Sequence, residues 1–408
     1  YAALQMNKDL ALSAEVFGIV SGIFFIGYFL FEVPSNILMM KFGARVWIAR
    51  ILITWGIVSV LTGFAQNEVH LYILRFLLGV AEAGFFPGII LYFTYWFRSK
   101  EQATTVALFT AAIPVSYIIG APLSTWIMDH IQWWGIQGWR WMLILEGAPA
   151  VIMGIVTYFY LTERPENAKW LTDEEKNWLI SSLKEERESR KNVKHLSTLK
   201  ALADPKVLFL SVIYFVYQTG SLGVGYWMPQ IIKGFSGKLT NTEVGLIGMI
   251  PYIIATIGMI VWSRRSDRTG ERQLHSAIPL LVAGLGLVSA GITKNPYFAL
   301  LFISISLAGM YSFKSPFWAL PSLFLTQSSA AVAIAAINSV GNLGGFVGPY
   351  AIGALKDATG STEAGLVFLS VLLFISFIMV LLMRLEKRQG FSKHQASQSN
   401  QLKGEVVK

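Results

Sequence analysis

The stretch from Leu71 to Phe97 is apolar enough to cross a bilayer, yet it carries Arg75 and Glu82 within it. About 20 mostly apolar residues span the hydrocarbon of a membrane. A charged side chain at mid-membrane costs roughly 2.5–3.5 kcal/mol on insertion scales. The two charges are seven residues apart, so on a helix they share one face, about 10 Å apart along its axis. A face of this kind is tolerated where it meets water or a partner rather than lipid. It therefore reads as one wall of a water-filled path for an organic anion. Glu82 is the side chain there that can bind and release a proton; Arg75 is a permanent cation able to hold or neutralise an anion.

Apolar runs of this length recur along the whole chain. Of 408 residues, 54% are hydrophobic and 14% charged, against about 25% charged in soluble domains. The expectation is an all-α membrane protein, since the alternating dyad of a membrane barrel is missing. Eleven spans are read at roughly 17–40, 46–65, 71–97, 103–128, 139–161, 206–232, 243–262, 274–293, 297–325, 330–355 and 363–384. Tyr1 to Met6 reads as the end of a further span whose beginning is missing, which would make twelve. The net charge of +9 lies largely in loops on one side: Lys41, Arg45 and Arg50, Arg98 and Lys100, residues 162–205, Arg264 to Arg272, and the tail after Arg384. By the positive-inside rule that side is cytoplasmic, with the C-terminus. The charge is thus accounted for without nucleic acid. There is no cysteine, which removes disulfides and thiol chemistry.

Short segments repeat at a common offset of about 228 residues. Met40 to Arg45 at the end of one span is matched by Asp267 to Arg272, 227 residues on; Gly120-Ala121-Pro122 is echoed by Gly348-Pro349, 228 on; Gly79 and Pro87 recur as Gly309 and Pro316, at 230 and 229. Several matches in order at one offset indicate two homologous halves, and parallel repeats of this kind place a binding site near mid-membrane at their interface. The expected division is 1–161, a cytoplasmic linker at 162–205, 206–384, and a tail at 385–408. In the linker, Thr172 and Glu175 form a capping box that starts an amphipathic helix with Leu179 and Leu183 on one stripe.

The doubled Gly-x-x-x-Asp-Arg-x-Gly-x-Arg type of loop resembles the major facilitator superfamily. Three stretches resemble its anion:cation symporter family: Gly27 to Asn36, Arg75 to Ala83, and the linker from Arg164-Pro165 to Lys176. The linker and Phe317-Trp318-Ala319-Leu320-Pro321 are most similar to the tartrate, phthalate and hydroxyphenylacetate permease branch. The resemblance implies two pseudo-symmetric six-helix bundles, and proton-coupled uptake of an organic carboxylate across a bacterial inner membrane by alternating access. The sequence departs from the family in two places. Met40 and Lys41 stand where the superfamily pattern has Asp and Arg. The charged pair of the family's first span would precede Tyr1.

Each candidate residue has two readings. Glu82 either couples protons or sits in a permanent buried ion pair. Arg75 either contacts substrate or pairs with an acid. Lys314, deep in an apolar span, holds a carboxylate or pairs with an acid such as Glu32. Tyr28, Gln218 and Asn342 lie midway along spans that line the family's cavity, and either contact substrate or bond another helix. Trp318 walls the site or packs an interface. Glu32 belongs to an inner gate or a structural pair. Gly220 and Gly223 mark a bending outer gate or close packing. Asp267, Arg268 and Arg272 form a cytoplasmic gating network or a simple loop turn at Gly270. Glu146 is expected to pair structurally, with Arg140 as a candidate partner. The histidines lack metal-ligand spacing, there is no phosphate-cradling loop, and no cofactor or catalytic set is read. The chain is expected to act as a monomer on a small organic anion and protons, within lipid. The alternatives are an exchanger of phosphorylated metabolites and a transporter-like receptor.

Overall fold

The computed structural model describes residues 1–190, 204–321 and 327–383, and the fold is helical throughout these. The first half comprises α1 (Ala3–Asp9), α2 (Ala14–Phe42), α3 (Ala44–Thr62), α4 (Glu68–Glu82), α5 (Phe85–Trp96), α6 (Ser99–Thr110), α7 (Ala112–His130) and α8 (Gly138–Tyr160). After α9 (Asp173–Arg190) in the linker, the second half follows. It comprises α10 (Pro205–Phe235), α11 (Asn241–Thr269), α12 (Gln273–Ile292), α13 (Pro296–Ala319), α14 (Gln327–Asn342), α15 (Gly344–Thr359) and α16 (Glu363–Leu382). Among the described residues, ten helices or helix pairs are long and apolar enough to cross a membrane. The remaining expected span, at 330–355, falls on α14 and α15. The expected tail at 385–408 lies outside the described residues.

The starts and stops follow local chemistry. Ser13 caps α2 by accepting from Val16 N–H, Thr240 and Glu243 form a capping box on α11, and Pro296 at the first turn of α13 follows the cap Asn295. These side chains satisfy amides that a helix start leaves unpaired. The helices α2, α11 and α15 stop at Gly43, Gly270 and Gly360, all with positive φ.

The two halves meet along two seams, α2 against α15 and α7 against α11. At the end opposite the linker, called the distal end below, backbones are in close approach. A Cβ on Gly18 would lie 2.6 Å from the Pro349 carbonyl oxygen, and one on Gly245 would lie 2.6 Å from that of Ala121. Most hydrogen bonds between the halves lie in this distal part. Away from it, Tyr117 of α7 stacks on Tyr252 of α11 and Ser339 of α14 donates to the Glu32 carboxylate of α2.

The described part of the linker docks on the first half. Trp170 stacks on Trp96 with ring centroids 5.6 Å apart, Arg164 lies 4.4 Å over the Tyr95 ring, and the Tyr92 hydroxyl donates to Thr162 O at 2.8 Å. The capping box is present, with Thr172 N–H donating to Glu175 at 3.0 Å and Glu175 N–H to the Thr172 hydroxyl at 3.3 Å. The Thr172 backbone and hydroxyl bonds hold the exposed Glu175 carboxyl below its ordinary value.

One linker contact was not legible in the sequence. Glu163 accepts from Ala44 N–H at 2.7 Å and Arg45 N–H at 2.8 Å, capping α3 from a remote position. In the second half the equivalent start, α12, is capped within its own loop. Glu271 accepts from Leu274 N–H at 2.8 Å and His275 N–H at 3.0 Å. Burial opposes ionisation of Glu271, but these donors and the His275 ring outweigh it and hold the carboxyl below its usual value. Glu163→Ala should therefore lower stability by about 0.5–2 kcal/mol, the usual cost of a lost N-cap. Thermal unfolding of the purified variant measures it.

Candidate functional site

The central stretch is not one helix. α4 ends at Glu82, Ala83 is extended, and Gly84 takes a left-handed φ of 84° before α5 begins. A side chain at 84 would be strained by that φ, and its Cβ would fall 2.5 Å from the Ser35 hydroxyl. Arg50 donates to the Ala81 carbonyl at 3.3 Å and lies 4.1 Å over the Trp47 ring, and the Trp47 indole donates to Ser35 at 2.9 Å. The break is thus seated in a socket built by α2 and α3. It leaves Glu82 at a helix terminus, half-buried, with no hydrogen bond or ion pair among the described residues. The permanent ion pair considered for Glu82 is not formed in this conformation. Tyr28, Tyr117 and Arg75 are close enough to interact with it electrostatically.

Arg75 is held by the protein itself. Its Nε donates to Val20 O at 3.2 Å, its Nη2 to Ser21 O at 3.4 Å, and Nη2 also reaches the Tyr226 hydroxyl at 3.3 Å in the other half. Phe24 lies beneath the guanidinium at 5.3 Å. No acid pairs with it among the described residues. Tyr28 is buried with Phe24, Phe25, Leu78 and Ala83.

Lys314 lies 4.9 Å over the Tyr311 ring and has no acidic partner among the described residues. The pairing with Glu32 left open above is not formed among the described residues; Glu32 accepts from Ser339. Between Glu82 and Lys314 runs a row of tyrosines that the sequence reading missed. Tyr117 of α7 stacks on Tyr252 of α11 at 4.4 Å and 5°, and Tyr252 meets Tyr311 edge-on at 6.2 Å. This row crosses the seam between the halves. Each tyrosine combines an apolar ring with a polar hydroxyl, and a tyrosine inside an otherwise apolar span is the signal that could have found them.

The other candidates are placed as follows. Gln218 is buried at 7% exposure in α10. Asn342 is the last residue of α14, beside the start of α15. Trp318 packs on Tyr214 at 4.7 Å. No hydrogen bond or ring contact joins these three to Glu82 or Lys314 among the described residues. Gly220 and Gly223 lie within an unbroken α10, where Cβ atoms would meet Leu373 at 3.1 Å and Leu369 at 2.7 Å. Asp267 pairs with Arg272 at 2.7 Å, Arg268 is exposed, and the pair stays within the loop between α11 and α12 without bridging the halves. Glu146 requires a correction. It accepts from Ser124 at 2.5 Å, whereas Arg140 pairs with Asp9 at 3.1 Å and donates to Gly63 O and Ala65 O. The guanidinium is drawn to the distal loops by these carbonyls, and the carboxylate faces α7. A cavity of about 540 Å³ at the distal end is lined by Gln5, Lys8, Asp9, Gln137, Lys233 and Asn241, away from the central groups.

A helical fold of two halves joined along two seams, with ten apolar spans among the described residues, defines a polytopic membrane protein. The chain belongs to the Major Facilitator Superfamily, whose family model matches residues 1–349. It is 49% identical over 398 residues to a protein of Agrobacterium vitis named "Putative tartrate transporter", covering 98% of this chain and 88% of that one. It is 38% identical over 381 residues to a quinolone resistance transporter of Acinetobacter baumannii, covering 93% and 87%. Among solved structures, a bacterial homologue of the human lysosomal transporter Spinster, inward-facing and occupied, aligns with a TM-score of 0.74 at 15% identity, over 93% and 91%. The superfamily resemblance read from the doubled loop is borne out, and the relatives include the tartrate branch to which the linker pointed.

Proposed function

We propose that this chain takes up an organic carboxylate together with protons by alternating access in an inner membrane. The observation that carries the proposal is the arrangement of two charges without a partner among the described residues, Glu82 and Lys314, on either side of a tyrosine row at the seam. An unpaired carboxyl can change protonation without breaking a structural bond. An unpaired ammonium is available for the anion. Tartrate-like dicarboxylates are the substrate class that the relative's name supports. Arg75 would offer its guanidinium when the distal contacts open and Tyr226 withdraws.

The linker end carries Arg98, Arg164 and Arg264 to Arg272 and is taken as cytoplasmic. The halves are joined mainly at the distal end, so this conformation is inward-facing on that orientation. The cycle begins outward-open, with a proton on Glu82 and the anion at Lys314. The halves then rock, and both leave to the cytoplasm.

Uptake into proteoliposomes under an imposed pH gradient tests the proposal. Accumulation should follow the gradient, by about tenfold per pH unit for each proton carried, since one unit is about 1.4 kcal/mol. Exchange without net accumulation would favour the exchanger reading. Binding without any flux would favour a receptor.

A further inference from the structure

The distal end carries a device that none of the gating candidates anticipated. Asp129, in the last turn of α7, accepts from Asn241 Nδ2 at 2.6 Å, from Thr242 N–H at 2.6 Å and from the Thr242 hydroxyl at 2.7 Å. These donors form the first turn of α11, in the other half. Asp357, near the end of α15, accepts from Ala14 N–H at 3.2 Å and Glu15 N–H at 2.7 Å, in the first turn of α2. This contact also crosses between the halves.

The two carboxylates are 228 residues apart, and so are Ala14 and Thr242. That offset is the one at which Gly120 recurs as Gly348. The contacts are therefore one contact made twice, related by the pseudo-twofold symmetry of the chain. Each carboxylate sits where its own helix disfavours it, since the C-terminal turn carries the negative end of the macrodipole. Each is satisfied by the positive end of a helix in the opposite half, through charge-assisted bonds. An unfavourable placement on the home helix, repeated at the symmetry-related position, is accounted for by the contact across the seam.

We propose that Asp129 and Asp357 are paired latches that hold the distal face shut and must release for that face to open. They act at the ends of α7 and α15, one helix of each seam, so releasing both frees the rocking motion. This assignment does not depend on which group carries the proton or on the substrate.

Double electron–electron resonance between spin labels on Val69→Cys and Tyr297→Cys tests it. The chain has no native cysteine, and these exposed residues begin α4 and α13 at the distal end in opposite halves. In the parent protein a short distance should dominate. Asp129→Asn and Asp357→Asn should each raise the longer-distance population by about tenfold, and the double variant should multiply the two effects, as distant sites do. Asn241→Ala with Thr242→Val keeps Asp129 and removes only side-chain donors. It should shift the same way, by less. Unchanged distances in all these variants would overturn the proposal. So would a loss of thermal stability with no change in distances, which would make the carboxylates purely structural.

Discussion

Replacing Glu82 with Gln is expected to abolish proton-driven accumulation while leaving counterflow exchange of the same anion. Gln keeps the size and hydrogen-bonding capacity of a protonated carboxyl but cannot release a proton. The variant is then fixed in the substrate-loaded protonation state, so the halves can still rock with anion bound. The accumulation ratio should fall from about tenfold per pH unit to one. Stability should change little, because Glu82 makes no ion pair or hydrogen bond among the described residues that the substitution would break. A structural carboxyl would behave in the opposite way. Glu163, bonded to two amides of α3, is such a case, and its loss should register in unfolding rather than in coupling.

Lys314→Gln is expected to weaken anion binding by roughly 10- to 150-fold, the equivalent of about 1.5–3 kcal/mol for a hydrogen bond to a charged group. Equilibrium binding of a dicarboxylate to the purified protein measures this. The control lies in the same variant's thermal unfolding. Removing one member of a buried ion pair typically costs 3–5 kcal/mol, whereas removing an unpaired buried charge carries no such penalty. Lys314 faces the Tyr311 ring and no acid among the described residues, so stability should hold or rise as affinity falls. A large destabilisation with unchanged affinity would assign Lys314 to the scaffold. Lys314→Arg should recover part of the affinity by restoring the charge.

Glu82 and Arg75 stand out in the sequence because membrane burial makes a charge conspicuous, and seven-residue spacing places both on one face of α4. The half-chain repeat was legible for a similar reason, since Gly, Pro and the loop charges leave a periodic mark. The break after Glu82 was not. Glycines in membrane helices are usually packing residues, and the sequence gives no sign that Gly84 adopts a positive φ. The bonds of Arg75 to α2 carbonyls and to Tyr226 arise from tertiary packing, as does the stack of Tyr117 on Tyr252. Asp129 and Asp357 obey the same 228-residue offset, but an acid at the end of a span is as readily an ordinary loop charge, and only the tertiary contact with the opposite half distinguishes it. Arg140 failed as a partner for Glu146 because proximity in sequence gave way to carbonyls and a carboxylate at the distal loops.

The assignment of Glu82 as the proton carrier is tested most directly by following protons when the anion binds. A dicarboxylate is added to purified protein in weakly buffered solution containing a pH indicator. If binding draws a proton onto Glu82, the parent protein should take up protons in proportion to occupancy, and Glu82→Gln should bind without proton uptake. Equal proton uptake by the Gln variant, or binding by the parent protein with none, would contradict the account.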